Sequence, residues 1–258
     1  MNEILGQVSE FKKEHNTVWF RGHSNVDYKL NSGLYRINKD LGIVRNAENS
    51  IFNCFINYGD PYCNKFYENK GWNSLFLMQH YGMYTRLLDW TDSFITALYF
   101  AVIGKERGKD ACIWMLAPIE LNNSCKEHIY DGDDQGYDNV RLLTMDTLPI
   151  RIKEYRNYFD SHIDIPSFAI VPRRSNERLV SQNGFFTVQG TEGITLDEEC
   201  ERYGKSILAK INLNDEVTEE CKNFLDISGI NYFSLYGGVE GLCKYIKDEF
   251  LKLKLENK

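Results

Sequence analysis

Apolar residues at Ile4, Leu5, Val8 and Phe11 recur at helical spacing, so residues 2–14 read as a short amphipathic helix. Thr17-Val-Trp-Phe20 is β-branched and aromatic and stops at Arg21-Gly22, the pattern of a strand running into a turn. From Ala47 to Trp72 the helical period returns with many aromatics, interrupted near Gly59-Asp-Pro61. Leu75 to His80 predicts a further helix closed by Gly82 as its C-cap. Thr85 to Trp90 reads as a short strand. Thr91, Asp92 and Ser93 then cap a buried helix over Ser93–Val102. Near-continuous apolar runs predict strands at Ala111–Leu116, Ser167–Val171, Gly184–Val188 and Ile207–Leu213. Asn176 to Val180 reads as helix or turn, and helices follow over Asp215–Leu225 and Val239–Leu255.

Strands and helices mix without a steady βα alternation. The expected class is therefore α+β, a single domain with a mixed or antiparallel sheet core and peripheral helices. Its expected limits are 1–258, with 1–16 a short N-terminal helix and 121–164, polar and rich in acids, an irregular insertion. A chain of 258 residues with 43% hydrophobic content can bury a large core, which excludes a disordered or low-complexity protein. The longest apolar run, Phe94 to Ile103, is too short to span a membrane, and Met1–Gly6 lacks the start of a secretory signal. Seven scattered cysteines without a Cys-x-x-Cys pair point to reduced thiols and a cytoplasmic setting. A net charge of −7 argues against attachment to nucleic acid by bulk charge, though a local basic groove stays compatible with it.

Phosphate-loop, dinucleotide, zinc-protease and nucleophile-elbow motifs are absent from the sequence. The acidic run Asp131-Gly-Asp-Asp134 reads as a solvated loop. Four segments carry chemistry. Trp19-Phe20-Arg21-Gly22-His23 sets a cationic fork at a strand end, beside a glycine that admits a ligand to the backbone. That suits phosphate or ribose oxygens, and the alternative is an arginine paired with a structural carboxylate. Gln79-His80-Tyr81-Gly82 with Thr85 to Asp92 concentrates polar and aromatic groups. Either Arg86 and Asp89 form a buried pair with Trp90 in the core, or Trp90 and Tyr81 face a flat heteroaromatic ring. In the third segment, Asn176 to Thr187, Gln182 either presents its amide to a cleft or satisfies local backbone. The fourth, Ile227 to Leu242, carries Glu240 near a helix start, where an acid complements the helix dipole.

Phe20-Arg21-Gly22, Gln79-His80-Tyr81-Gly82, Thr85-Arg86-Leu87-Leu88-Asp89-Trp90-Thr91 and Ala97-Leu98-Tyr99-Phe100-Ala101 resemble the FRG domain family, named for its Phe-Arg-Gly motif. Arg178-Leu-Val-Ser-Gln182 with Gly184, Phe186 and Thr187, and Gly229-Ile230 with the closing Glu240 stretch, are similar to it as well. The order of these elements looks like that of ADP-ribosyltransferases. There an Arg or His ends an early strand, a second strand is followed by a helix of Ala, Tyr and Phe, and a third strand supplies a polar residue. In that order Gln182 stands where a glutamate is usual; it can orient a hydroxyl but cannot act as a base near neutral pH.

That resemblance implies an NAD-dependent ADP-ribosyltransferase with Arg21, Asp89 and Gln182 as catalytic residues. Arg21, Gly22, His23, Tyr81, Arg86, Trp90 and Thr91 would bind NAD. Arg21 would clamp the diphosphate, Trp90 and Tyr81 would wall the nicotinamide, and Asp89 or Gln182 would take ribose hydroxyls. His23 would carry a proton at physiological pH. NAD is the implied co-substrate, with no metal. The implied partners are a macromolecular acceptor, protein or nucleic acid, and a neutralising antitoxin, with no membrane. The implied role is a toxin or antiviral effector. The alternative is a non-catalytic nucleotide- or nucleic-acid-binding module with Arg21, Arg86 and Arg178 along its cleft. A third reading is an interaction domain with these motifs as core.

Overall fold

The computed structural model describes residues 1–59, 71–105, 108–130, 140–159, 164–172, 184–204 and 206–256. Among them, strands β1 (Trp19–His23), β2 (Leu87–Thr91), β3 (Ala111–Leu116), β4 (Leu143–Thr144), β5 (Phe168–Val171), β6 (Gly184–Val188) and β7 (Leu208–Leu213) form one mixed sheet. Its order is β4-β5-β6-β2-β1-β3-β7, with β4 and β5 parallel and the other neighbours antiparallel. The chain is thus α+β, as its mixed pattern implies. Strand β1 does not stop at Arg21-Gly22 but continues to His23, because all five of its residues pair with β3.

Period-two alternation gives the sheet two apolar faces. On one, Phe20, Ile113 and Ile211 pack with α1 (Asn2–Glu14), α4 (Phe94–Ile103) and α9 (Asp215–Ile227). Helix α1 contributes Ile4, Val8 and Phe11, three buried positions at the spacing that marks its amphipathic face. On the other face, Trp19, Trp90, Trp114 and Phe185 lie beneath Leu30 and beneath Leu196 and Cys200 of α8 (Leu196–Arg202). Trp19 and Phe185 stack with centroids 4.6 Å apart. A third cluster, around Trp72, joins α2 (Leu41–Gly59) and α3 (Trp72–His80) to the β5–β6 half of the sheet.

Residues 121–164 differ from the expected irregular insertion. The described part holds the end of α5 (Pro118–Ser124), α6 (Lys126–Ile129), α7 (Ile150–Lys153) and a 3-10 turn over Tyr155–Phe159. It delivers Ile129, Ile152, Tyr155 and Tyr158 to the Trp72 cluster, and the Trp72 indole N–H donates to the Ile152 carbonyl at 3.1 Å. Polar residues spaced between these anchors conceal them from a periodicity argument. Asp131–Asp134 and the Asn176–Val180 segment lie outside the described residues. The chain closes with α10 (Tyr232–Tyr236) and α11 (Gly238–Glu256).

The sheet has a seam. Strand β1 pairs with β3 along five residues and β2 pairs with β6 along five, yet β1 and β2 meet at Phe20 opposite Thr91 alone. Beyond that bridge the two halves part. Helix α4 packs on β1 beside the seam, its start fixed by Ser93, whose Oγ accepts the Thr96 N–H at 3.2 Å. The Thr91 Oγ1 accepts the Ser93 N–H at 3.1 Å, tying that cap to the end of β2.

Helix α4 comes so close because β1 carries glycine at position 22. A Cβ added there would lie 2.0 Å from the Ala97 carbonyl oxygen and 2.6 Å from the Ala101 nitrogen, both backbone atoms that no rotamer change can move. Gly22→Ala is expected to cost about 3 kcal/mol or more by forcing helix and strand apart. Urea denaturation at neutral pH measures it, and a midpoint equal to wild type would refute the close packing.

Candidate functional site

A cavity of about 290 Å³ opens where β1 and β2 part. Strand β1 lines it with Arg21 and His23, β2 with Asp89, α4 with Thr96 and Phe100, α10 with Tyr236, and the loop after β1 with Ser24 and Tyr28. Four elements separated in sequence thus converge on the seam.

Arg21 spans the gap. Its Nη1 donates to the Asp89 carbonyl at 2.6 Å, filling the place of a ladder bond that β1 no longer makes, and stands 3.9 Å from the Asp89 carboxylate. Its Nε donates to His23 Nε2 at 3.0 Å. Burial lowers the Arg21 pKa from its ordinary value, Asp89 opposes that, and Arg36 adds to it; a guanidinium stays charged all the same. Of its five N–H groups these bonds use two, so the fork has donors left for an anion.

The Asp89 side chain is 60% exposed at the cavity. Its Oδ2 accepts from Gln79 Nε2 at 2.8 Å, and the Thr85 hydroxyl donates to Gln79 Oε1 at 2.5 Å. A guanidinium and a solvent-facing carboxylate therefore sit side by side without a full ion pair between them. The aromatic walls are Tyr28, Phe100 and Tyr236, with Phe100 and Tyr236 edge to face at 6.0 Å.

Several expectations for individual residues need correction. His23 accepts from Arg21 through Nε2, so its Nδ1–H faces the Tyr28 carbonyl at 3.2 Å. Burial, reinforced by the Arg21 charge, pushes its pKa down to about 3. It is a neutral imidazole at physiological pH, not the expected proton carrier. Gly22 makes room for the α4 backbone rather than for a ligand. Trp90 borders the cavity, but its side chain is 2% exposed and its indole N–H donates to Thr187 at 2.9 Å, so the ring belongs to the core and not to a nicotinamide wall. Tyr81, 71% exposed beside His80 at the end of α3, is not among the residues lining the cavity. Thr91 lines it, with its hydroxyl engaged in the α4 cap.

Arg86 is not a ligand-binding arginine. Its side chain is 2% exposed and forked onto Glu48, with Nε to Oε1 at 2.6 Å and Nη2 on Oε2. The remaining groups meet the Gln189 carbonyl at 2.9 Å and the face of Tyr158 at 4.4 Å, and the Tyr155 hydroxyl donates to Glu48. Burial works against the Arg86 charge; the adjoining Glu48 carboxylate outweighs it and leaves the pKa well above the ordinary value. The pair is expected with a buried carboxylate, but the carboxylate is Glu48 rather than Asp89. Gln182 and Arg178 lie outside the described residues, as does the side chain of Glu240. Tyr28, Phe100 and Tyr236 enter the site from the structure alone.

The fold is a mixed α+β sheet, and the cleft at its central seam sets one guanidinium, Arg21, and one carboxylate, Asp89, among aromatic side chains. The model of the FRG domain family matches residues 16–110, which takes in Arg21, Gln79, Asp89 and α4 but not Tyr236. No curated protein and no solved structure matches the chain. No described helix is long and apolar enough to cross a membrane, and no three metal-ligating side chains cluster among the described residues.

Two outcomes follow from these environments. Glu48→Ala leaves the Arg86 charge buried and unpaired, so it is expected to destabilise by about 3–5 kcal/mol, read by urea denaturation. A loss below about 1 kcal/mol would mean the arginine finds water. The depressed His23 pKa makes a pH statement. The unfolded chain protonates His23 near about pH 6.5 and the folded chain only near about 3. Its contribution to stability is thus complete above pH 6.5 and is lost as pH falls towards 3, by at most about 1.4 kcal/mol per pH unit. His23→Gln is expected to flatten the fall in stability between pH 7 and pH 5; an unchanged slope would mean His23 ionises freely in the fold.

Proposed function

We propose that the seam cleft binds NAD and transfers its ADP-ribosyl group to a macromolecular acceptor. The observation that carries this reading is the meeting of Arg21, with N–H groups to spare, and the exposed Asp89 carboxylate between aromatic walls at the parting of β1 and β2. The fit follows from the chemistry of these groups. A planar guanidinium takes two diphosphate oxygens at once, a carboxylate accepts from ribose hydroxyls, and Tyr28, Phe100 and Tyr236 give the cavity an aromatic wall. A cavity of about 290 Å³ falls at the lower end of the range for small-ligand sites, so it encloses one end of a dinucleotide and leaves the rest on the surface.

The C–N glycosidic bond of NAD breaks with its electron pair on nicotinamide, which leaves neutral, while the acceptor's nucleophile bonds to the ribose carbon and gives up its proton to water. The chain's task is electrostatic. Asp89 places negative charge beside the sugar carbon as that carbon becomes electron-poor, and Arg21 holds the phosphates so that the geometry is paid for on binding. His23, neutral and donating to a backbone carbonyl, acts by holding the Arg21 fork rather than by moving protons. This activity suits a toxin or antiviral effector restrained by a neutralising partner.

Incubation with adenylate-labelled NAD and a cell lysate tests the reading. Label is expected on a macromolecule, with nicotinamide released in step. Nicotinamide without labelled acceptor would make it an NAD hydrolase, and NAD retained but intact would make it a binding module. Neither release nor retention would end the proposal. Arg21→Lys, which keeps the charge and loses the fork, is expected to lower turnover per folded molecule about 10- to 100-fold and to lower the melting temperature by only the few degrees that one lost hydrogen bond is worth. Wild-type turnover with an early melt would assign Arg21 to the fold alone.

A further inference from the structure

The Gln79 side chain donates the one side-chain hydrogen bond to the Asp89 carboxylate among the described residues, on the oxygen that Arg21 Nη1 approaches at 3.9 Å. Thr85, 2% exposed, has its Oγ1 accepting the Leu87 N–H at 3.1 Å, so the hydroxyl hydrogen is directed elsewhere. It goes to Gln79 Oε1 at 2.5 Å. A primary amide whose oxygen is so occupied turns its NH2 the other way, and Nε2 meets Asp89 Oδ2 at 2.8 Å. The sense of this relay is fixed by donors and acceptors alone. A flipped amide would face its oxygen to a carboxylate, which only accepts. The relay begins at the backbone of β2 and returns to β2 two residues further on, through a side chain from the last turn of α3.

We infer that Gln79 is a positioning residue: its amide, set by Thr85, fixes one oxygen of Asp89 so that the other faces the cleft. The inference rests on the NAD-transfer reading for what Asp89 then does, but the positioning itself is a property of the apo protein. An exposed aspartate without such a partner samples several rotamers, and a reacting group displaced by about 1 Å loses rate by as much as about a hundredfold.

The test has one arm that needs no activity. The side-chain amide NMR signals of Gln79 are expected to move from their wild-type positions in Asp89→Ala and in Thr85→Val. Unmoved signals overturn the inference whatever the protein does with NAD. In the second arm, nicotinamide release is measured for a double-mutant cycle. Gln79→Leu is expected to lower kcat about 10- to 100-fold and to leave KM for NAD within about threefold. Adding Gln79→Leu to Asp89→Ala is expected to cost nothing further, because the amide acts through the carboxylate. Gln79→Glu, which keeps the shape and the Thr85 bond but sets an oxygen against Oδ2, is expected to be at least as damaging as Gln79→Leu. Thr85→Ser is expected to restore most of what Thr85→Val loses. Additive losses in the cycle, or a harmless Gln79→Glu, would assign Gln79 to packing. If the amide signals couple to Asp89 while wild type releases no nicotinamide, the positioning holds and the NAD reading falls.

Discussion

Across the parting of β1 and β2, the Arg21 guanidinium donates to the Asp89 carbonyl at 2.6 Å, a side-chain bridge between two strands that meet at one residue pair. Two strands that separate in the middle of a sheet leave backbone groups without ladder partners, and each such group needs another in compensation. Here a side chain from one strand satisfies the Asp89 carbonyl of the other across the opening. The same side chain then presents its spare N–H groups to the space it has kept open. Fold and site share one residue, and His23, neutral and aimed by the Tyr28 carbonyl, holds that residue in place.

Each side of the seam has its own support. On the β2 side, the Glu48–Arg86 pair ties α2 to the residue before β2, with Tyr155 of the 3-10 turn and the Gln189 carbonyl just beyond β6 completing the set. Four segments are pinned at one buried point, and the pair sits on aromatic faces rather than in water. On the β1 side, α4 rests directly on the strand and shares its apolar cluster with β3, β7, α1 and α9. The cleft therefore lies between two supported sides of one sheet, which the Trp19–Phe185 stack joins across the seam.

Much of this was legible in the residues. The strand at 111–116, the Ser93 cap and the helix after it follow from local pattern, because caps and continuous apolar runs act over a few residues. Arg21 and Asp89 stand out because each charged group interrupts a buried strand. The errors share a cause. Arg86 looks like a ligand-binding cation until Glu48, 38 residues earlier, is seen to meet it, and no local rule links the two. Trp90 looks like a ring wall until the strand's alternation turns its indole into a core shared with Trp19 and Phe185. Tyr28 and Tyr236 reach the cleft from a loop and a short helix whose placement depends on the completed sheet. The 121–164 region hides core residues between polar ones, and only packing reveals them.

Because position 22 is bare, α4 is located by main chain against main chain, with no side chain between helix and strand at that point. Thr96 and Phe100, the residues α4 lends to the cleft, inherit a position that substitutions elsewhere on the helix can scarcely alter. The wall that α4 gives the opening is thereby placed by two backbones in contact, and side-chain changes at Phe100, Tyr28 or Tyr236 would alter the lining of the cavity without moving that contact.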